Sequence, residues 1–588
     1  MYNCVLKKYY FFFILLMLNK EKIFNIFHLP IQFNSFTKKT SINLKEDLEL
    51  TKTIYPKQKC VYENLFNMEN NFDKLSIEKW SEYYTYDKQF IKDTQHFLND
   101  CSDLEVEQYK IDNMTTLWKK IDNETNFLET YQFIEWERFK YLNNSKLVLS
   151  ILSFYNISSP LFQLISPLLI FITPFILMKG LGVPISTERY TQILILNLQN
   201  QPMYKLFFSF NTMNLGQQVY GLLMVGLYIY NIYSNIVSCY KFYKQTKLIT
   251  SEFETVKAYL DYTIENMKFI KNKSTKLKTY SGFNDHLDKF KDRLVHFRKE
   301  ITNIPKEIFT PKNIIQLGSV MKYYFTLWDS AEVEEIFMYS FGFNCFYNNL
   351  KGINKNIINK DINECSLSNK KKIKIKNIYH PSIKTNVIKN NINLSKNKII
   401  TGPNAAGKTT ILKAITISLL TSQQIGFGYY EKLKINPYHY FHCYINIPDS
   451  NNRDSLFQSE ARRCKEILDI IKTNKNKRHF CIFDELYSGT NPYEAIGSAY
   501  SYLNHISKNK NITFILTTHF IRLCNLIDDN RYVDNINMKT SIVNNEPIYH
   551  YEIQKGISKI KGGVHVLKQL NYPDNLIKEA KKIIEKIE

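Results

Sequence analysis

No C-x-x-C pair occurs anywhere in this chain. Its ten cysteines are scattered, which leaves no zinc-type spacing and no disulfide framework. Reduced thiols facing a cytosol-like compartment fit that usage. Glycine is scarce too, 18 in 588 residues, so glycines at a fixed spacing carry information. No arginine-rich cluster is present, and the longest basic run is Lys370-Lys371-Lys372. Hydrophobic content of 44% with 14% aromatics excludes a mainly disordered polypeptide. The net charge of +22 then admits two readings. One is a polyanionic partner, either nucleic acid or an acidic membrane surface. The other is a Lys-, Asn- and Ile-rich composition that spreads charge without a patch. The length exceeds one hydrophobic core and predicts about three or four domains.

The informative stretch is Thr401-Gly402-Pro403-Asn404-Ala405-Ala406-Gly407-Lys408-Thr409-Thr410. Apolar Ile399 and Ile400 precede it and a helix-like Ile411-Leu412-Lys413-Ala414-Ile415 follows. Strand, glycine-spaced loop and helix in that order satisfy G-x-x-x-x-G-K-S/T. Backbone N–H groups of such a loop turn inward around a phosphate, which the helix N-terminus also favours. Gly402 and Gly407 stand where a Cβ would obstruct that wrap. Lys408 is expected to reach the β- and γ-phosphates and the Thr409 hydroxyl to ligate Mg²⁺.

Upstream, residues 1–30 form a hydrophobic N-terminal segment. Lys7 and Lys8 precede an uncharged run to Asn19, like the start of a signal peptide but without a small-residue cleavage site. Residues 31–146 are polar and aromatic and read as helical. Leu147 to Met178 and Leu206 to Tyr240 then carry no charge, and each exceeds the roughly 20 residues that a membrane helix needs. Pro160, Pro167 and Pro174 recur in the first, a burden that neighbouring membrane helices tolerate. The expectation over 147–240 is a two-helix membrane hairpin. The alternative is a pair of buried helices in a large soluble core.

Arg138, Lys140 and Lys146 flank one outer end and Lys241, Lys244 and Lys247 the other. That distribution keeps both large halves on the cytosolic side. Residues 241–349 read as a helical arm. Phe253, Val256, Leu260, Ile264, Met267 and Ile270 share one helical face, and Phe283, Leu287, Phe290, Leu294, Phe297 and Ile301 step as heptads after a break near Ser281-Gly282. An antiparallel helical hairpin follows. Residues 350–375 read as a basic linker, and the alternation Lys372 to Lys376 as an edge strand opening a last domain, 376–588.

In that domain the strand-like His479-Phe480-Cys481-Ile482-Phe483 ends in Asp484-Glu485. Two acids after an apolar strand supply the second half of a phosphate-loop site. Asp484 would hold the Mg²⁺ through water and Glu485 would polarise the attacking water. A further apolar run, Ile512 to Leu516, ends at Thr517-Thr518-His519, which places His519 to sense the γ-phosphate.

Residues 376–588 resemble the ATPase domain of the MutS mismatch-repair family. The loop is similar to that family's TGPNMGGKST, His380-Pro381 to its His-Pro pair, and Gln424-Ile425-Gly426 to its Q-I-G. Arg453 to Glu460 resembles its S-T-F-x-x-E signature, Asp484 to Thr490 its DE-x-x-x-GT, and His519 its T-H pair. Tyr551-Glu552-Ile553, Gly556, Ser558, Gly563-Val564-His565-Val566 and Tyr572-Pro573 resemble its closing pattern, with an amphipathic helix near 574–588. The departures are Ala405-Ala406 for Met-Gly, Thr409 for Ser, and Tyr487-Ser488 and Asn491-Pro492 after the acids. Val387 aligns where the family stacks an aromatic on adenine.

The resemblance implies an α/β P-loop NTPase of the ABC/MutS type, preceded by a mostly α-helical region with the membrane hairpin. ATP and Mg²⁺ are the implied cofactors, held by Gly402, Pro403, Asn404, Ala405, Ala406, Gly407, Lys408, Thr409, Thr410 and Gln424, with Thr409 and Asp484 as metal ligands. Glu485, His519 and Lys408 are the implied catalytic residues. Ser455 would complete a partner's site in trans, which makes the chain a homodimer or a heterodimer with a related ATPase. DNA is the implied substrate, although the mismatch-reading module is not visible and Phe133-Ile134-Glu135 matches its F-x-E only in spelling. A membrane-associated protein with its ATPase domain facing the cytosol follows from the hairpin; without it the protein is intracellular. The alternative is a membrane-anchored ABC-type mechanical ATPase that does not act on DNA. A non-hydrolysing binding module conflicts with intact Lys408, Thr409, Asp484 and Glu485.

Overall fold

The computed structural model describes residues 18–54, 58–182, 186–200, 202–208, 210–370, 373–445, 455–543, 546–558, 560, 567–568, 570 and 572–587. Arg453-Asp454 and Gly563-Val564-His565-Val566 lie outside the described residues, as does the N-terminal stretch before Leu18. The chain divides into two compact units that ignore sequence order. One draws on Glu107–Ile264 and Asp292–Phe337, the other on Asn19–Val106, Glu265–Lys291 and Met338–Glu588. Tertiary contacts, not linkers, therefore define the units, and the six consecutive segments expected from composition do not map onto them.

The first unit is helical. Its core is aromatic: Phe127 stacks on Trp328 at 4.7 Å, with Tyr324 and Phe133 at 5.5 and 5.6 Å. Phe133, the residue of the F-x-E spelling, is thus a buried core side chain. The Lys146–Gly180 helix carries Pro160, Pro167 and Pro174 without interruption. It runs antiparallel beside the start of the Leu215–Ser274 helix, since Tyr228 OH donates to Gln163 O and Cys239 Sγ to Ile157 O, both at 3.3 Å. Two helices here are long and apolar enough to cross a membrane, and none of the second one's apolar window is buried. The second apolar stretch begins later than its lack of charge suggests. Residues 206–208 close a short helix, Pro202–Phe208, and 210–212 form a 3-10 turn, Phe210–Thr212.

Every residue of the two helical seams, Phe253 to Ile270 and Phe283 to Ile301, is buried. Their helices pair antiparallel: Asp261 binds Arg298 in the first unit, and Lys271 binds Asp288 in the second. The break falls earlier than expected, between Ser274 and Ser281.

The second unit holds the strands. A small antiparallel pair, β1 (Thr37–Lys39) and β2 (Tyr83–Thr85), comes first. Residues 350–375 are largely structured rather than a linker. They contain the end of the Ala331–Ile358 helix and β3 (Asn363–Leu367). A five-stranded sheet is completed by β4 (Lys374–Ile378), β5 (Asn390–Asn393), β7 (Phe427–Gly428) and β8 (Lys432–Ile435), in the order β5-β4-β8-β3-β7. β4 is therefore internal, because β5 returns along its open edge.

The second sheet contains β6 (Asn397–Thr401), β9 (Tyr440–Tyr444), β10 (His479–Asp484), β11 (Ile512–Thr518), β12 (Val533–Val543) and β13 (Glu546–Lys555), in the order β13-β12-β6-β11-β10-β9. All neighbours are parallel except the β12–β13 hairpin. β6 and β10 are almost wholly buried, with Ile399 and Ile400 in one and Phe480 to Phe483 in the other, as a sheet covered on both faces requires. Helices Leu456–Thr473 and Pro492–Ser507 cover one face, packing Ile467, Ile471, Ala499 and Leu503 on Phe483, Phe514 and Leu516.

Candidate nucleotide site

Three neighbouring parallel strands, β6, β11 and β10, deliver the chemistry. Thr401 pairs with Thr518 and Thr517 with Asp484, so all three end at the same level. Beyond the carboxyl ends of such strands the chain must turn off the sheet, leaving a crevice. β6 leads into the glycine loop, β10 into Glu485 and β11 into His519.

The Lys408–Gln424 helix starts at a cap, Gly407, with φ 90°. A Cβ there would also lie 3.1 Å from the Tyr551 ring; only glycine meets both demands. Lys408 is buried, and its Nζ donates to the carbonyls of Gly402 (3.0 Å) and Pro403 (3.2 Å). Burial lowers its pKa, while Glu485 and Asp484 work to keep it charged. Its Nζ also lies 3.1 Å from His519 Nε2, which is 2.8 Å from Glu485 Oε1. One imidazole nitrogen cannot serve both. Bare, Nε2 accepts from Lys408; protonated, it donates to Glu485. The His519 hydrogen bond, with Lys408 behind it, holds the Glu485 carboxyl below its usual range against partial burial.

Thr409 Oγ1 donates to Asp484 Oδ2 at 2.8 Å, and Thr517 Oγ1 donates to Asp484 Oδ1. A hydroxyl and a carboxylate side by side are the hard oxygen donors that Mg²⁺ takes, usually together with water and phosphate oxygens. The donor set fits that ion.

Of these groups, Lys408, Thr409 and Glu485 border a cavity of about 560 Å³, ample for a nucleotide-sized ligand; Asp484 and His519 reach it only through their bonds to Thr409, Lys408 and Glu485. Asn404, Ala405, Gly407, Lys408, Thr409, Thr410 and Glu485 line it on one side. Tyr379, His380, Ile383, Ile388, Met538 and Tyr551 line the other. Val387 is not among the lining residues; the rings present are Tyr379, Tyr551 and the imidazole of His380. Tyr551 was legible only as part of the closing pattern, because its place depends on the β12–β13 hairpin folding back over the loop.

Gln424 is misplaced as a ligand residue. It ends a helix of 17 residues that begins at Lys408, about 24 Å away along the axis. There its side chain is saturated by Tyr62 OH and the carbonyls of Trp80 and Tyr83. Ser455 caps the Leu456–Thr473 helix, its Oγ accepting from Gln458 N–H at 3.3 Å, and does not line the cavity.

Residues 398–588 match the family MutS domain V. Curated relatives align over similar lengths. DNA mismatch repair protein MutS of Clostridium perfringens is 30% identical over 227 residues, 37% of this chain and 24% of the relative. MutS of Persephonella marina is 27% identical over 220 residues, 36% of this chain and 25% of the relative. DNA mismatch repair protein Msh2 of Dictyostelium discoideum is 28% identical over 218 residues, 36% and 23%. The chain thus spans about a quarter of the length of these relatives. Its C-terminal part is an α/β MutS domain V region, preceded by mostly helical sequence to which that match does not extend.

The folded state keeps three histidines neutral in acid. Burial pushes His380 and His439 down to about 4 and His442 to about 3. An unfolded chain would take up those protons near pH 6.5, so their contribution is complete above pH 6.5 and is lost as pH falls toward 4. The urea midpoint is expected to drop steadily over that interval, and less steeply in His442→Gln. A midpoint constant from pH 6.5 to 4 contradicts the burial argument.

Proposed function

We propose that this chain binds and hydrolyses ATP through a MutS-type P-loop domain, acts on DNA as a dimer, and is held at a membrane by its two apolar helices. The observation that carries the reading is the hydrogen-bonded meeting of Lys408, Thr409, Asp484, Glu485 and His519, of which Lys408, Thr409 and Glu485 line a nucleotide-sized cavity. The matched family and the mismatch-repair names of the relatives support it.

In this reading the backbone N–H groups from Pro403 to Thr409 hold phosphate oxygens, and Lys408 exchanges its loop carbonyls for them. Thr409 and Asp484 hold Mg²⁺, which supplies charge neutralisation on the phosphates. Glu485, kept ionised, accepts the proton of the attacking water. His519, within hydrogen-bond reach of Glu485, turns to it once Lys408 is engaged elsewhere. Tyr551 and Tyr379 offer rings for the base. Ser455 serves a second subunit, homologous or identical.

The DNA reading draws on a basic sheet face. Lys374 lies opposite Lys434 and Lys376 opposite Lys432, all exposed, with Glu431 pairing Lys376. Like charges directly opposed on a sheet destabilise it, and a polyanion would relieve them. The second reading, a membrane-anchored mechanical ATPase that never touches DNA, is favoured by the apolar helices, whose outward residues include Leu161, Phe162, Leu222, Leu223 and Tyr230. Outward apolar surface on this scale fits lipid, with the unit bearing the MutS domain V region on the cytosolic side.

Three measurements test these points. Glu485→Gln is expected to lower kcat for ATP by about 100-fold or more with nucleotide affinity retained; wild-type turnover would remove the base assignment. Duplex binding should weaken steeply between 50 and 200 mM salt, about tenfold or more, whereas absence of any duplex binding selects the second reading. The full chain should stay in the membrane pellet after carbonate extraction; recovery in the supernatant would make 147–240 a soluble helical pair.

A further inference from the structure

The segment after the two acids is gripped from the helix that Ser455 caps. Glu460, on that helix, is only 2% exposed. Its Oε1 accepts from the Ser488 N–H (3.0 Å) and hydroxyl (3.1 Å), and its Oε2 accepts from the Gly489 N–H (3.1 Å). Two apolar contacts join the same pieces. The rings of Phe457 and Tyr487 are 5.7 Å apart, and a Cβ on Gly489 would come within 2.6 Å of Leu456 Cγ. From β9, Tyr444 OH accepts the Tyr487 N–H at 3.2 Å.

The segment needs this grip. Glu485 and Tyr487 both sit in the left-handed region, with φ of 54° and 59°. Non-glycine residues hold such angles only where surrounding contacts enforce them. A carboxylate can accept all three bonds at once, and charge-assisted bonds are the stronger kind.

We propose that Glu460 is a positioning residue that locks residues 485–489 to the Ser455 end of the Leu456–Thr473 helix and thereby aims the Glu485 carboxylate. The inference rests on Glu485 being the base and adds what orients it. It also joins two proposed sites: whatever a second subunit does to Ser455 reaches Glu485 through a rigid turn and a half of helix. Glu460 lies outside the cavity lining, so it acts on presentation of the base and not on nucleotide contact.

The test uses the purified full chain with ATP turnover and binding of a fluorescent ADP. Glu460→Gln sets an amide nitrogen against a backbone N–H, donor facing donor. It should cut kcat about tenfold or more while KM and the ADP Kd stay within about twofold. In a Glu485→Gln background the same change should cost less than about twofold more, because the group it aims is already gone. Should Glu460→Gln fail to fold, Gly489→Ala, which pushes Leu456 off the turn, must show the same split between kcat and Kd. Unchanged kcat overturns the proposal. So does a parallel rise in Kd, or a full multiplicative loss on top of Glu485→Gln. Wild-type turnover by Glu485→Gln alone marks failure of the base assignment instead, and the positioning role falls with it.

Discussion

The register of three parallel strands governs everything at the site. Because β6, β11 and β10 stop level with one another, a lysine, a histidine and two acids meet although more than a hundred residues separate the first from the second. A slip of one residue in any pairing would turn its side chains to the opposite face, and Asp484 would leave Thr409. The exits from the sheet are correspondingly tight: Ala405, Gly407 and Glu485 all carry positive φ. Strain gathers where the strands end, which is where the chemistry sits.

Charge balance follows from that meeting. Lys408 is a buried cation, costly unless paired and hydrogen-bonded, and it finds loop carbonyls and His519 within reach and two carboxylates close by. The Glu485 carboxyl is in turn held below its usual range by His519 and, behind it, Lys408. Each group supports the charge of another, so removing one shifts the rest. His519 stands between Lys408 and Glu485 with one nitrogen for two partners, and a change at Lys408 must therefore be felt at Glu485.

The other end of the Lys408–Gln424 helix is a socket for the early part of the chain. Gln423 bonds the carbonyls of Thr85 and Tyr438, Gln424 those of Trp80 and Tyr83, and Gln95 those of Cys365 and Gly426. Saturated buried amides of this kind fix one arrangement, since an unmade bond there is expensive. Lys413 adds an ion pair to Glu49 at 2.9 Å. Residues 49–54 and 58–95 are thus built into the unit that carries the MutS domain V match, well outside the matched residues themselves.

Local order was readable from residues 397–424 because strand, glycine turn and helix each follow from neighbours in sequence: the buried run of β6, the left-handed Gly407, the helix formers after it. The pairing of heptad seams was readable for the same reason. What escaped was anything carried by distant partners. Composition made 350–375 a linker and alternation made β4 an edge, yet the Ile375 and Cys365 side chains are buried by strands and helices that neither reveals. Motif spelling put Gln424 at the ligand, and only the length of its helix removes it. Tyr551 and Glu460 take their places through a hairpin and a helix folding onto loops far along the chain. The chain's own sequence settled which short segments turn, coil or extend, since those depend on backbone sterics and periodicity. Tertiary structure alone decided which of them touch, because contact between remote segments is set by burial and hydrogen-bond satisfaction over the whole core.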